Sequence, residues 1–441
     1  MRGAPGRFAH FTTSYYVQTF YACAKASVSL LSRAKKYLDE PLTRGTLKTL
    51  IGIKNPNQKN AMEITSSSIR PLRGQATRTS PRGMLAALLL AALACSLPAA
   101  HAATVTWNGG GADNNWTTAL NWVGGNGTAE GDSLVFDGST RLTSNNTFSA
   151  NTQFNGITFA AGSGAFTLNG AAINLGGDIV DNSSSIQNIY TPIVLQQPTS
   201  ISNAGNSTLT MQTTISGAAA LTKSGSGLVV FVTTGNYTGG TTVSQGILRS
   251  TPNNTQNVFG SGDISIASGA TLQFRATFTN TIVTSNVISG EGLVSVIGNA
   301  ATAVQVLSGA NTYNGTTTVG SGVLNIRNDT ALGSTAGGTA VVAGAALQLQ
   351  NNITVGAETL GLYGTGISND GALRNINGNN TYGGLITVGS ATRINSDAGT
   401  LTLSNNGTIT GATFGLTVGG AGNTTIASAI GTTSEIGRAH V

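Results

Sequence analysis

Five aspartates supply the carboxylates with which this chain could do chemistry: Asp113, Asp132, Asp137, Asp178 and Asp181. Glycoside hydrolysis needs two such groups flanking one bond, one to protonate the leaving oxygen and one to attack or to activate water. Asp178 and Asp181 are three apart, which on a single strand sends them to opposite faces, so a pair would have to form across a turn. Solvated turn positions are the expected place for all five. Asp113-Asn114-Asn115 has oxygen ligands for calcium but not the Gly-Gly-x-Gly-x-Asp spacing of calcium-binding β-helices. Gly109-Gly110-Gly111 is followed by neither a helix nor a Lys-Ser/Thr pair, which makes it a turn and not a phosphate cradle. Imidazole is missing where it would be needed, because His10, His101 and His440 all lie outside residues 103–434. Lys223 is the sole lysine of that stretch. The expectation is a protein that is not an enzyme, with no catalytic, cofactor-binding or metal-binding residue.

The elements that would have to position such groups fall in two unlike halves. Residues 1–102 carry 14 Lys+Arg against 3 Asp+Glu, whereas residues 103–441 carry 8 against 13. The basic character of the chain therefore belongs to its first part. The rest is mildly acidic and has no Lys/Arg cluster, which argues against nucleic-acid binding. Cys23 and Cys95 both precede residue 103, so the later part can form neither disulfides nor thiolate metal sites.

Met84 to Leu97 reads MLAALLLAALACSL, an uncharged apolar run shorter than a membrane-spanning helix. Arg70, Arg73, Arg78 and Arg82 precede it and Ala100-His101-Ala102 follows, the order of a secretory signal with cleavage expected between Ala102 and Ala103. Residues 62–102 are thus expected to be a signal peptide, with 1–61 an extension upstream of the true start. Ala92-Leu93-Ala94 before Cys95 is a loose lipobox and keeps a lipoprotein reading open. Glu435 to Val441 departs from the preceding Gly/Thr/Asn usage, resembles a translated adapter sequence, and is expected to be a non-native tail.

From residue 103 onward the sequence is Gly-, Thr-, Asn- and Val-rich, with short alternating segments such as Thr400-Leu401-Thr402-Leu403 between turns. A repeat runs through it. Superposing Tyr237, Tyr313 and Tyr382 places Gly239, Gly315 and Gly384 two residues on, and Val243, Val319 and Val388 six residues on. Gly246 and Gly322 stand nine after tyrosine, Leu248 and Leu324 eleven after; the third copy has Ala391 and Arg393 there. Leu248 to Leu272 and Leu324 to Leu347 suggest a period in the low twenties, which marks a solenoid whose units bury their apolar faces only against neighbours. The fold class expected for 103–434 is all-β, a parallel β-helix roughly 65–75 Å long at ~4.8 Å per coil. The valines are expected to point inward, with Thr317 on the side opposite Val319.

The segment Leu221-Thr222-Lys223-Ser224-Gly225-Ser226-Gly227-Leu228-Val229-Val230, followed by Asn236-Tyr237-Thr238-Gly239-Gly240-Thr241-Thr242-Val243 and Gly246-Ile247-Leu248, resembles the autotransporter-associated β-strand repeat, or passenger-associated transport repeat. It departs from that pattern at Val232-Thr233-Thr234, and the second copy lacks the Leu-Thr-Lys portion. The resemblance implies an exported right-handed parallel β-helix at the cell surface, outer membrane-associated or extracellular. Such proteins often carry a C-terminal translocator barrel or sorting anchor, the only membrane contact expected besides the signal peptide. Surface glycans or matrix are the expected partners of an adhesive scaffold. A polysaccharide-active or polysaccharide-binding β-helix is the alternative. Trp107, Trp116 and Trp122 fit an aromatic cap over the first coil, the competing role being a glycan-stacking platform.

Overall fold

The computed structural model describes residues 102–204, 207–252, 257–277, 281–298, 303–411 and 413–432. The extension 1–61, the signal segment up to His101 and the tail 435–441 lie outside the described residues.

Short alternating segments make the strands. Thr400–Leu403 buries Leu401 and Leu403 and turns its threonines outward, and Thr271–Ala276 alternates in the same way over six residues. Each strand is too short to stand alone, so it pairs in parallel with the strand one coil before and one coil after. The outcome is an all-β solenoid of about 13 turns. At ~4.8 Å per coil that stack rises about 62 Å, slightly short of the expected 65–75 Å.

Residue pairs in register show the coil length directly. Leu248 lies opposite Leu272 and Leu324 opposite Leu347, so the leucine spacings visible in the sequence are the true repeat. Inward side chains form continuous ladders along the axis. One runs Ile157, Ile179, Ile201, Lys223, Val243, Ile266; another runs Leu324, Leu347, Leu373, Ile394, Val418. Each fully buried aliphatic rung contributes roughly 1.5–3 kcal/mol relative to exposure.

The coil changes its sides part-way along. Through the first coils the chain visits a nine-stranded, a twelve-stranded and a five-stranded sheet in turn; later coils visit the same twelve-stranded sheet, then a seven-stranded and a four-stranded one. The tyrosine repeat does not keep step with this. Val243 lies on the nine-stranded sheet, whereas Val319 and Val388 lie on the twelve-stranded sheet. Between the first and second copies the motif has moved on by one side of the coil.

Candidate functional site

All three tryptophans are buried, Trp107 and Trp116 at 0% exposure and Trp122 at 1%. Trp107 meets Trp122 edge-on with centroids 5.3 Å apart, and both pack on Phe136, as does Trp116. Their indole N–H groups donate to Thr140 O, Ser144 Oγ and Trp116 O respectively. A sugar platform needs an open ring face, and these buried rings have none, which counts against glycan stacking on them.

The carboxylates do not converge. Asp178 is exposed and accepts the Ser200 N–H, while Asp181 is buried on the other face and accepts from the backbone and hydroxyl of Ser183. Burial pushes the Asp181 carboxyl upward despite those donors. Asp132 is also buried, taking hydrogen bonds from Ala103 N, Ala129 N and Thr128. The expectation that all five are solvated therefore fails for Asp132 and Asp181, whose turn hydrogen bonds compensate for burial. Asp137 is exposed and caps Gly138. Asp113 spends its oxygens on Asn115 and Asn121. Hydrogen bonds from Thr118 and then Asn115 hold its carboxyl below the usual range.

Lys223 points into the core in place of an aliphatic rung and is fully buried. Its ammonium donates to the carbonyls of Ser224, Gly225 and Gln245 at 2.9, 2.6 and 2.8 Å, stitching one coil corner to the next. Three acceptors match the three N–H bonds of the group, while burial pulls it down to about 8. Gly227, at the same corner, donates to Asn203 O.

The repeat residues sit as follows. Val243, Val319 and Val388 are buried as expected, and so are Tyr237, Tyr313 and Tyr382. A side chain on Gly239, Gly315 or Gly384 would collide with the backbone of the coil beneath, which is why the position two after tyrosine is glycine in all three. Gly246 and Gly322 turn corners with positive φ. Thr317 is a correction: it is buried beside Val319, because residues two apart share a face. Its hydroxyl pairs with Tyr313 Oη at 2.6 Å, as Thr241 pairs with Tyr237 at 2.7 Å. The third copy has Ile386 at that position, and the buried Tyr382 hydroxyl has no hydrogen-bond partner.

Sequence patterning missed two features. Glu358 is 2% exposed, with Oε1 accepting from Thr339 Oγ1 at 2.6 Å. Burial raises its carboxyl to about 7. The second is an outward loop between strands Leu360–Leu362 and Leu373–Asn375. Ser368 and Asn369 take left-handed backbone there, a strained geometry that recurs at functional sites. Tyr363 at its base is 43% exposed, its ring lying against Gly389. Where the loop re-enters the next strand, Arg374 pairs with Asp370 and Asp397. Their flanking sequence carries no repeat signal, so nothing marked them in advance.

Among the described residues no group of three or more His, Cys, Asp or Glu is placed to hold a metal, and no helix is long and apolar enough to cross a membrane. Comparison with family models, curated proteins and solved structures finds no match to this chain. The resemblance of the tyrosine repeat to passenger-associated repeats therefore rests on the quoted residues alone.

Proposed function

We propose that residues 103–434 act as an exported passenger scaffold, a non-catalytic stack of β-coils that presents its outer faces to surface glycans or matrix. The observation that carries this reading is the unbroken inward ladder over successive coils, with buried carboxylates consumed in local turns. Such a fold spends its side chains on stacking and leaves loops to do the binding. Export rests on the sequence preceding Ala103. Tagged protein expressed from Met62 in a Gram-negative host should appear in the periplasm with a new N-terminus at Ala103. Retention at full length in the cytoplasm would overturn the reading, and a lipid on Cys95 would replace it with the lipoprotein form.

Polysaccharide binding is the second reading, and Tyr363 is the observation that favours it. Its exposed ring offers a stacking face at the base of a loop that also carries the Asp370–Arg374 ion pair. Changing Tyr363 to Ala should abolish retention on an immobilised glycan panel if this loop is the contact; unchanged retention sends the binding elsewhere.

A further inference from the structure

Glu358 occupies an unusual place in the stack. It precedes the strand Leu360–Leu362, and its side chain turns into the core instead of toward solvent. The coil before it contributes Thr339, whose hydroxyl is its hydrogen-bond donor. The titratable groups facing it are Tyr382 from the coil after and Tyr313 from two coils before, both fully buried and both held above their ordinary range, first by burial and then by the nearby Glu358 carboxyl. Among the described residues no lysine, arginine or histidine pairs with it. The backbone is closely packed there as well, because Gly384 of the next coil lies directly on the Glu358 carbonyl.

We propose that Glu358 is a protonation-controlled latch, which holds the coils between Thr339 and Val388 closed as a neutral acid and loosens them when it ionises. The chemistry is one proton. As a neutral acid the group can remain in an apolar stack with one hydroxyl donor. As a carboxylate it brings a charge with no cationic partner into the stack near two buried tyrosines, with Thr339 its one hydrogen-bond donor. Opening of the local coil returns the charge to water.

The pH window follows from linkage. Unfolded, the carboxyl titrates near 4.5, and folded near 7. Between those values the open state has lost its proton while the closed state keeps it, so stability is full below about 4.5 and is lost as pH rises toward 7. Each pH unit in that window multiplies the local opening constant by up to about ten, on the order of a hundredfold in all, and above 7 the effect levels off. Coils around Phe274 enclose no buried carboxyl among the described residues and serve as the internal reference.

The test is hydrogen exchange on the full chain at several values between pH 4.5 and 8, corrected for intrinsic exchange. Protection in residues 339–388 should fall on the order of a hundredfold across the window, while residues near Phe274 hold theirs. Glu358→Gln keeps the shape and removes the proton, so it should flatten the response. An equal pH response in Glu358→Gln, or none in the native chain, would overturn the proposal. Carboxyl carbon NMR gives a second readout that does not depend on the variant folding: one glutamate should titrate near 7, and if every glutamate titrates near 4.5 the latch is excluded.

Discussion

The coils around Phe136 and those around Tyr382 share a backbone plan and differ in what they enclose. Phe136 packs on five other rings, Trp107, Trp116, Trp122, Phe159 and Phe166, and the cap's buried N–H groups all find acceptors. The stack around Tyr382 encloses a hydroxyl with no partner and a carboxyl with one. Complete burial is common to both regions, so burial alone does not rank them. What separates them is whether each polar atom taken from water is given a partner, since an orphaned one costs about 1–3 kcal/mol.

The largest effect should come from placing a charge in the shared core. Val319→Asp should cost about 4–5 kcal/mol and unfold a few neighbouring coils, whereas Thr318→Asp, on the outer face of the same strand, should stay within about 0.5 kcal/mol. Chemical denaturation of both variants checks this, and equal losses would mean that the two faces are assigned wrongly. Removing the cap's central ring, Phe136→Ala, should cost about 3–4 kcal/mol. Exchange protection should then fall first near residues 104–170 and leave residues near Tyr382 untouched; a uniform loss would make the stack one cooperative unit.

The smallest effects are the sharpest, because they differ in sign. Tyr237→Phe breaks the bond to Thr241 and leaves that hydroxyl buried without its partner, so it should destabilise by about 1 kcal/mol. Tyr382→Phe removes an orphan and should stabilise by about 1 kcal/mol, measured at pH 5 where Glu358 keeps its proton. Losses in both would show that Tyr382 has found a donor or acceptor in solution.

Much of this architecture is legible in the sequence. The Leu248–Leu272 and Leu324–Leu347 spacings were true register pairs, and a β-branched residue recurring among threonines at Val243, Val319 and Val388 does mark the interior. Thr317 defeats the sequence expectation because threonine usually faces outward, although parity puts it with Val319; its hydroxyl is made tolerable inside by Tyr313. Asp181 and Glu358 were illegible for a related reason. Composition treats a carboxylate as solvated, while the deciding facts are Ser183 and Thr339, donors set by turn geometry and by the neighbouring coil. The loop at Tyr363 escaped because it interrupts the repeat instead of obeying it.

The one-sided shift of the tyrosine motif has a consequence for valency. Thr242, Thr318 and Thr387, each five after its tyrosine, are the outward residues of the three copies. Thr318 and Thr387 stand in the same column of the twelve-stranded sheet, three coils apart, a separation of about 14 Å. Thr242 faces out from a different sheet. A flat surface pressed against the solenoid could therefore meet two copies at once and never three, so counting repeats in the chain overstates the number of equivalent contacts available to any single planar partner.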